Sequence, residues 1–163
     1  MTTKTAADTK YLRPVPNGTV TLPPSDGSRL ISAASDVFDY IDPDFVGYDA
    51  NEAGADTPAT GATVLEMYEE DADFETMFGS VAENVDTLRF TQSQIIGFCE
   101  KHRNLLRDDG WATFFLFKSK GKFFVASVGV VGGGSLEVFV FRFSYGYVRH
   151  AGRRRRVVVP QMS

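Results

Sequence analysis

From Ala112 onward the chain is a succession of aromatic and β-branched runs, ATFFLFK, KFFVASVGVV and SLEVFVFRF, separated only by SKG and GGGS. No other feature restricts the fold as strongly. Short runs of this composition fit a pleated, half-buried surface, and Gly-bearing connections of a few residues join neighbouring strands as hairpins. Shorter pieces around Tyr145 to Arg149 and Arg156 to Val159, set off by AGRR, continue the pattern. The expectation is an antiparallel meander of four or five strands over 111–163. In ATFFLFK and KFFVA both alternating sets of positions are apolar, so the sheet should be covered on both sides for part of its length, on one side by helices.

The stretch before Ala112 reads differently. Residues 1–27 are rich in Thr, Pro and Gly, and Pro14, Pro16, Pro23 and Pro24 argue against helix interiors and central strands, so an extended, partly disordered arm is expected. Leu30, Ala34, Val37, Phe38 and Ile41 fall at helical spacing, which predicts a helix over about 28–40, capped by Asp26 or Ser28 and ended by Pro43. Residues 42–62 read as an acidic loop. Thr63 with Glu66 resembles a capping box for a short helical turn, and Asp73 suits the cap of a second piece that ends at Gly79. The clearest helix is TQSQIIGFCEKHRNLLRDDG, with Thr91 and Gln94 as a capping box, Ile95, Phe98, Cys99, His102 and Leu106 on one face, and Gly110 at the stop. Taken together, the fold class expected is α+β, with N-terminal helices packed on a C-terminal antiparallel meander. Residues 28–163 form one domain, divided into an acidic helical part over 28–110 and a basic β part over 111–163.

Charge follows the same division. Residues 1–88 hold 4 Lys/Arg against 17 Asp/Glu, a balance of −13, whereas residues 89–163 hold 13 against 4, a balance of +9. Such an asymmetry means either that an acidic layer docks on a basic one or that a basic face is offered to a polyanion. No apolar run approaches the length of a membrane span, and MTTKTAADTK lacks the apolar stretch of a secretory signal, so a cytoplasmic protein with no membrane partner is expected. One cysteine, Cys99, excludes an internal disulfide and a thiolate-rich zinc site.

The segments TPATGATVLEMYEEDADFETMFGSV, FTQSQIIGFCEKHRNLLRDDGWATFFLFK, FFVASV and RVVVPQ, spanning roughly residues 57–161, resemble a group of small uncharacterised bacterial proteins met mostly in candidate-phylum and metagenomic genomes. That group has no established activity, so the resemblance implies a bacterial, cytoplasmic single domain and transfers no functional residue.

Motifs with chemical meaning are weak. Cys99 and His102 form C-x-x-H on one helix face, but a closed zinc site needs four ligands, and the remaining histidine, His150, stands in the strand region. DPDFVGYDANEA departs from a calcium loop, since Val46 and Ala53 stand where oxygen ligands belong. GVVGGGSLE connects two strands, where a phosphate loop would open a helix and carry Lys-Ser/Thr. Ser135 and His150 lie in no nucleophile-elbow context. Neither a catalytic constellation nor a cofactor site is therefore expected.

The basic, aromatic strands remain. Lys118, Lys120 and Lys122 crowd one hairpin, while Arg142, Arg149, Arg153, Arg154, Arg155 and Arg156 lie near Phe141, Phe143, Tyr145 and Tyr147. Cations beside rings that stack on bases are what single-stranded nucleic-acid binders use; the competing explanation is a core of rings with arginines guarding sheet edges and meeting acids. Strand alternation through RRRRVVV would send Arg154 and Arg156 to one face and Arg153 and Arg155 to the other. The sequence thus points first to a non-enzymatic interaction protein with an unidentified protein partner, and second to a nucleic-acid-binding module using Lys118, Lys120, Lys122, Arg142, Tyr145, Tyr147, Arg149 and Arg153 to Arg156. An exposed edge strand near the C-terminus would suit a homodimer.

Overall fold

A computed structural model describes residues 10–107 and 111–161. Along the chain run β1 (Leu12–Leu22), β2 (Tyr40–Ile41), α1 (Asp44–Gly47), β3 (Thr60–Met67), α2 (Phe74–Val81), α3 (Gln92–Lys101), β4 (Thr113–Ser119), β5 (Lys122–Val131), β6 (Ser135–Arg142) and β7 (Arg156–Pro160), with 3-10 turns between several of them. The strands form one seven-stranded sheet in the order β1-β3-β7-β4-β5-β6-β2.

This overturns the expected four- or five-stranded antiparallel meander beneath N-terminal helices. A meander exists only over β4, β5 and β6, whose hairpins form where SKG and GGGS predict them. The second turn needs its glycines, because Gly133 and Gly134 adopt φ of 76° and 85°. β7 leaves the meander: it lies parallel to β4 on one side and antiparallel to β3 on the other. β2 adds a second parallel pair at the β6 edge, so the sheet is mixed. The helices are interspersed among the strands along the chain.

The other departures have local causes. TGATVLEM, in which a helical turn was expected from Thr63, is β3; its successive residues Val64 and Leu65 enter two different hydrophobic clusters, and β7 occupies its inner edge. Leu12–Leu22 lies in the expected arm yet forms an edge strand, a place that tolerates Pro14 and Pro16, and its pairing with β3 shifts register between Pro14 and Thr19. The segment expected to be a helix over 28–40 holds only a 3-10 turn, Ile31–Ala33. Its backbone is drawn to other partners: Ile31 N–H donates to the Gln92 side chain and Asp39 N–H to the Leu136 carbonyl of β6, while the Asp39 carboxylate accepts from Leu136 N–H. α1 interrupts the stretch expected to be a loop. The predicted α3 carries both halves of its Thr91–Gln94 capping box and ends at Lys101, before a 3-10 turn; Gly110 lies outside the described residues.

Two cores follow from strand alternation. On one face Phe115, Phe117, Phe124, Val158 and Val64 pack with Phe38, Phe45, Phe98 and Ile95; on the other Phe114, Leu116, Val125, Val157 and Leu65 pack with Phe74, Met77 and Phe78 of α2. Covering both faces explains why β4 and β5 are apolar at successive positions. At about 1.5–3 kcal/mol per fully buried large side chain, these clusters supply the main driving force for folding. None of the helices among the described residues is long and apolar enough to cross a membrane.

Candidate functional site: a basic and aromatic strip

The cations of the second half divide into two sets. Glu66 on β3, whose side chain is 16% exposed, gathers Arg156 Nε at 3.4 Å, Arg154 Nη1 at 3.6 Å and Arg13 Nη2 at 4.0 Å. Arg156 also donates to the Leu105 carbonyl, and the Arg107 guanidinium donates to the carbonyl of Arg154. Lys118 Nζ lies 3.6 Å from Asp86. Lys120 sits in the β4–β5 turn at φ 52°, its backbone N–H donating to Glu52. Three of these residues of the predicted site, Lys118, Arg154 and Arg156, are thus paired with acids of the first half, and Lys120 meets Glu52 through its backbone N–H. The expected strand alternation through the arginine tetrad is not found, since only Arg156 belongs to the strand and Arg154 has a left-handed backbone at φ 52°; Arg154 and Arg156 are instead grouped by Glu66.

Lys122, Arg142, Arg149, Arg153 and Arg155 form no ion pair with a described residue. Lys122 and Arg142 lie together at the end of β6, Arg149 lies against Phe141, Tyr145 and Tyr147, and Arg153 and Arg155 lie against Trp111, ahead of β4. Lys122 and Arg142 line a groove of about 300 Å³ with Phe123, Phe143 and Ser144. Across Arg142 lies a second groove of about 380 Å³, lined by Tyr48, Phe141, Ser144 and Tyr145, in which the Arg142 guanidinium stands 4.0 Å from the Tyr48 ring centre. Phe141 and Tyr145 are parallel within 5° at 5.7 Å, and Tyr147 continues the stack at 6.1 Å and 14°. Both tyrosines are about half exposed, at 48% and 52%.

Arg149 lies beneath this stack. It is 5% exposed, bridges to Ala72 through its backbone, and points its guanidinium at Phe74 (4.1 Å), Phe114, Phe141 and Tyr147 (5.2 Å each) and Tyr145 (5.8 Å). Burial, reinforced by the charge of Arg155, pushes the Arg149 guanidinium down to about 10, so it remains a cation at neutral pH. Beyond it, Arg153 and Arg155 lie 4.6 and 5.0 Å from the Trp111 ring centre. The loop that carries these groups is anchored by Asp71, which accepts from Ala151 N–H at 2.8 Å and lies 3.2 Å from His150 Nδ1; both contacts hold its carboxyl below the usual range.

Lys122, Arg142, Tyr145, Tyr147 and Arg149 are therefore linked through shared grooves and ring contacts, Arg153 and Arg155 share the Trp111 ring, Lys118, Arg154 and Arg156 pair with acids, and Lys120 meets Glu52 through its backbone alone. Sequence reasoning missed Tyr48, Ser144 and Trp111. Trp111 carried a usable signal, an aromatic ring next to the strand region, but nothing local marks Tyr48. Cys99 is buried, and burial raises its thiol far above the ordinary range, while the His102 ring packs on Phe98. Among the described residues no group of three His, Cys, Asp or Glu side chains is placed to hold a metal ion. No protein-family model matches the chain, and neither curated proteins nor solved structures show a significant match.

Proposed function

We propose that the protein is a non-enzymatic module that binds single-stranded nucleic acid along the strip from Lys122 to Arg153. The observation that carries this reading is that Arg142 and Arg149, which no acid pairs, lie beside the stacked and half-exposed Tyr145 and Tyr147 rings. Phosphates supply a term common to all sequences, and bases stack on rings whatever their identity. The acidic half, on this reading, removes Lys118, Arg154 and Arg156 from the binding surface and confines contact to the strip.

The test is fluorescence anisotropy with a labelled oligothymidine of about 12 nucleotides, within the roughly 4–16 nucleotides usual for single-strand sites. Binding should weaken with salt at a log–log slope of about −2 to −3.5, as expected for three to five phosphate contacts. Tyr147→Ala should cost about 1–3 kcal/mol, the worth of one stacked base, and Lys118→Ala should change little. Absence of binding at low salt, or equal loss in Lys118→Ala and Arg142→Ala, rejects the reading; tighter binding to an acidic peptide than to the oligonucleotide would identify a protein partner instead.

A further inference from the structure

We infer that the two grooves on either side of Arg142 take the two bases of one dinucleotide step, with the phosphodiester between those bases held on Arg142. The inference rests on the nucleic-acid reading and deepens it by giving one phosphate and its two neighbours a place. Arg142 and Ser144 line both grooves, so the two spaces share a polar wall at the end of β6. A turn closed by the Tyr145 N–H on the Arg142 carbonyl, at 3.0 Å, keeps the two residues together. Arg142 is exposed, and its guanidinium stands 4.0 Å from the Tyr48 ring centre. That contact restrains the guanidinium without supplying an oxygen acceptor. Among the described residues neither the Arg142 guanidinium nor the Ser144 hydroxyl has a hydrogen-bond partner, and Lys122, on the wall of the second groove, forms no ion pair.

A guanidinium, an ammonium and a hydroxyl, all exposed and none committed to an acid, match a phosphate, two of whose oxygens fit the planar fork of arginine. The flanks match the bases. The first groove, of about 380 Å³, has Tyr48, Phe141 and Tyr145 in its wall. The second, of about 300 Å³, has Phe123 and Phe143, whose rings cross at 57° with centres 5.9 Å apart and so form an angled cleft. Both volumes lie at the small end of the roughly 300–1,000 Å³ of ligand pockets, which suits a base-sized group in each. Ring-lined space on both sides of one cation repeats the order base, phosphate, base. A phosphomonoester fills the centre and one groove only, so the pair of grooves selects a diester.

Titration of the isotope-labelled full chain, followed through its amide NMR signals, tests this with small ligands of known structure. Thymidylyl-thymidine, which has one diester and two bases, should bind about tenfold more tightly than thymidine monophosphate, the gain from one further stacked base. The same dinucleotide with an uncharged methylphosphonate link should bind about tenfold more weakly than the diester, because its charge-assisted hydrogen bonds are gone. Arg142→Lys, which keeps the charge without the fork, should also lose about tenfold for the dinucleotide, whereas Arg153→Ala, outside both grooves, should bind it as the wild type does. Equal affinity for monophosphate and dinucleotide, undiminished affinity for the uncharged analogue, or equal loss in Arg142→Lys and Arg153→Ala overturns the assignment. Tighter binding of phosphotyrosine than of the dinucleotide also overturns it, in favour of a phosphopeptide. The two readings fail separately. Oligothymidine binding without a preference for dinucleotide over monophosphate rejects the two-groove step and leaves the strip; dinucleotide binding without oligothymidine binding at low salt supports the step and rejects the strip; binding of neither rejects both.

Discussion

Glu66 holds three guanidinium groups on one carboxylate, and that single residue decides which arginines of the tetrad are ion-paired. Replacing it with Gln removes the charge but keeps the shape. Glu66→Gln should lower stability by about 1–3 kcal/mol in urea unfolding, the range for losing hydrogen bonds to a charged group in a partly exposed site. The same variant should bind oligothymidine more tightly than the wild type, because Arg154 and Arg156 are released. At this scale the valines were legible as a strand, but the expected alternation through the tetrad was not met, because the strand begins only at Arg156 and Arg153 and Arg154 lie in a turn; Arg154 and Arg156 are grouped by their shared Glu66. Which arginines would find an acid was not legible, since Glu66 is 90 residues away from Arg156 and only the β3–β7 register puts them opposite one another.

Among the elements, α3 has a second task besides packing Ile95, Ile96 and Phe98. Its first turn is polar yet buried, and each side chain there is hydrogen-bonded to another segment. Gln92 accepts from Ile31 N–H and donates to the carbonyls of Ala50 and Glu52, while Ser93 accepts from Arg29 N–H. These bonds hold the irregular stretch between β1 and β3 on the sheet without a helix of its own. Gln92→Ala, which strands the buried Ile31 N–H, should cost about 1–3 kcal/mol with an unchanged m-value in urea. The capping box of α3 was readable because it is local. The loss of the expected helix over 28–40 was not readable, because its apolar spacing is helical and its competing partners, Gln92 and the β6 edge, lie far along the chain.

At the scale of the whole molecule, the division of charge does not divide the fold. β3 belongs to the acidic half yet joins the edge strand β1 to β7, and α1 and α2 of that half cover the two faces. Residues 89–163 are therefore not a folding unit. Removing the chain from Val157 onward should abolish cooperative urea unfolding, because it takes out a strand paired on both sides together with buried Val157, Val158 and Val159. A truncated chain with a sharp, wild-type-like transition would contradict this account of the sheet. The β4–β5–β6 meander was legible from residue type and turn spacing. The interior position of β7 was not, because pairing partners far apart in sequence leave no trace in local periodicity.

The position of β7 also sets an order of events during synthesis. Before Arg156–Pro160 emerges, the sheet exists at most as two fragments, β1 with β3 and the β4–β5–β6 meander with β2, and each has an open inner edge where β7 will insert. Open strand edges invite pairing with other chains. The interval between making Ser119 and making Pro160 is thus the nascent chain's period of greatest exposure to aggregation. Pauses in translation across residues 120–155 would prolong it, whereas pauses after β7 would give the sheet time to close.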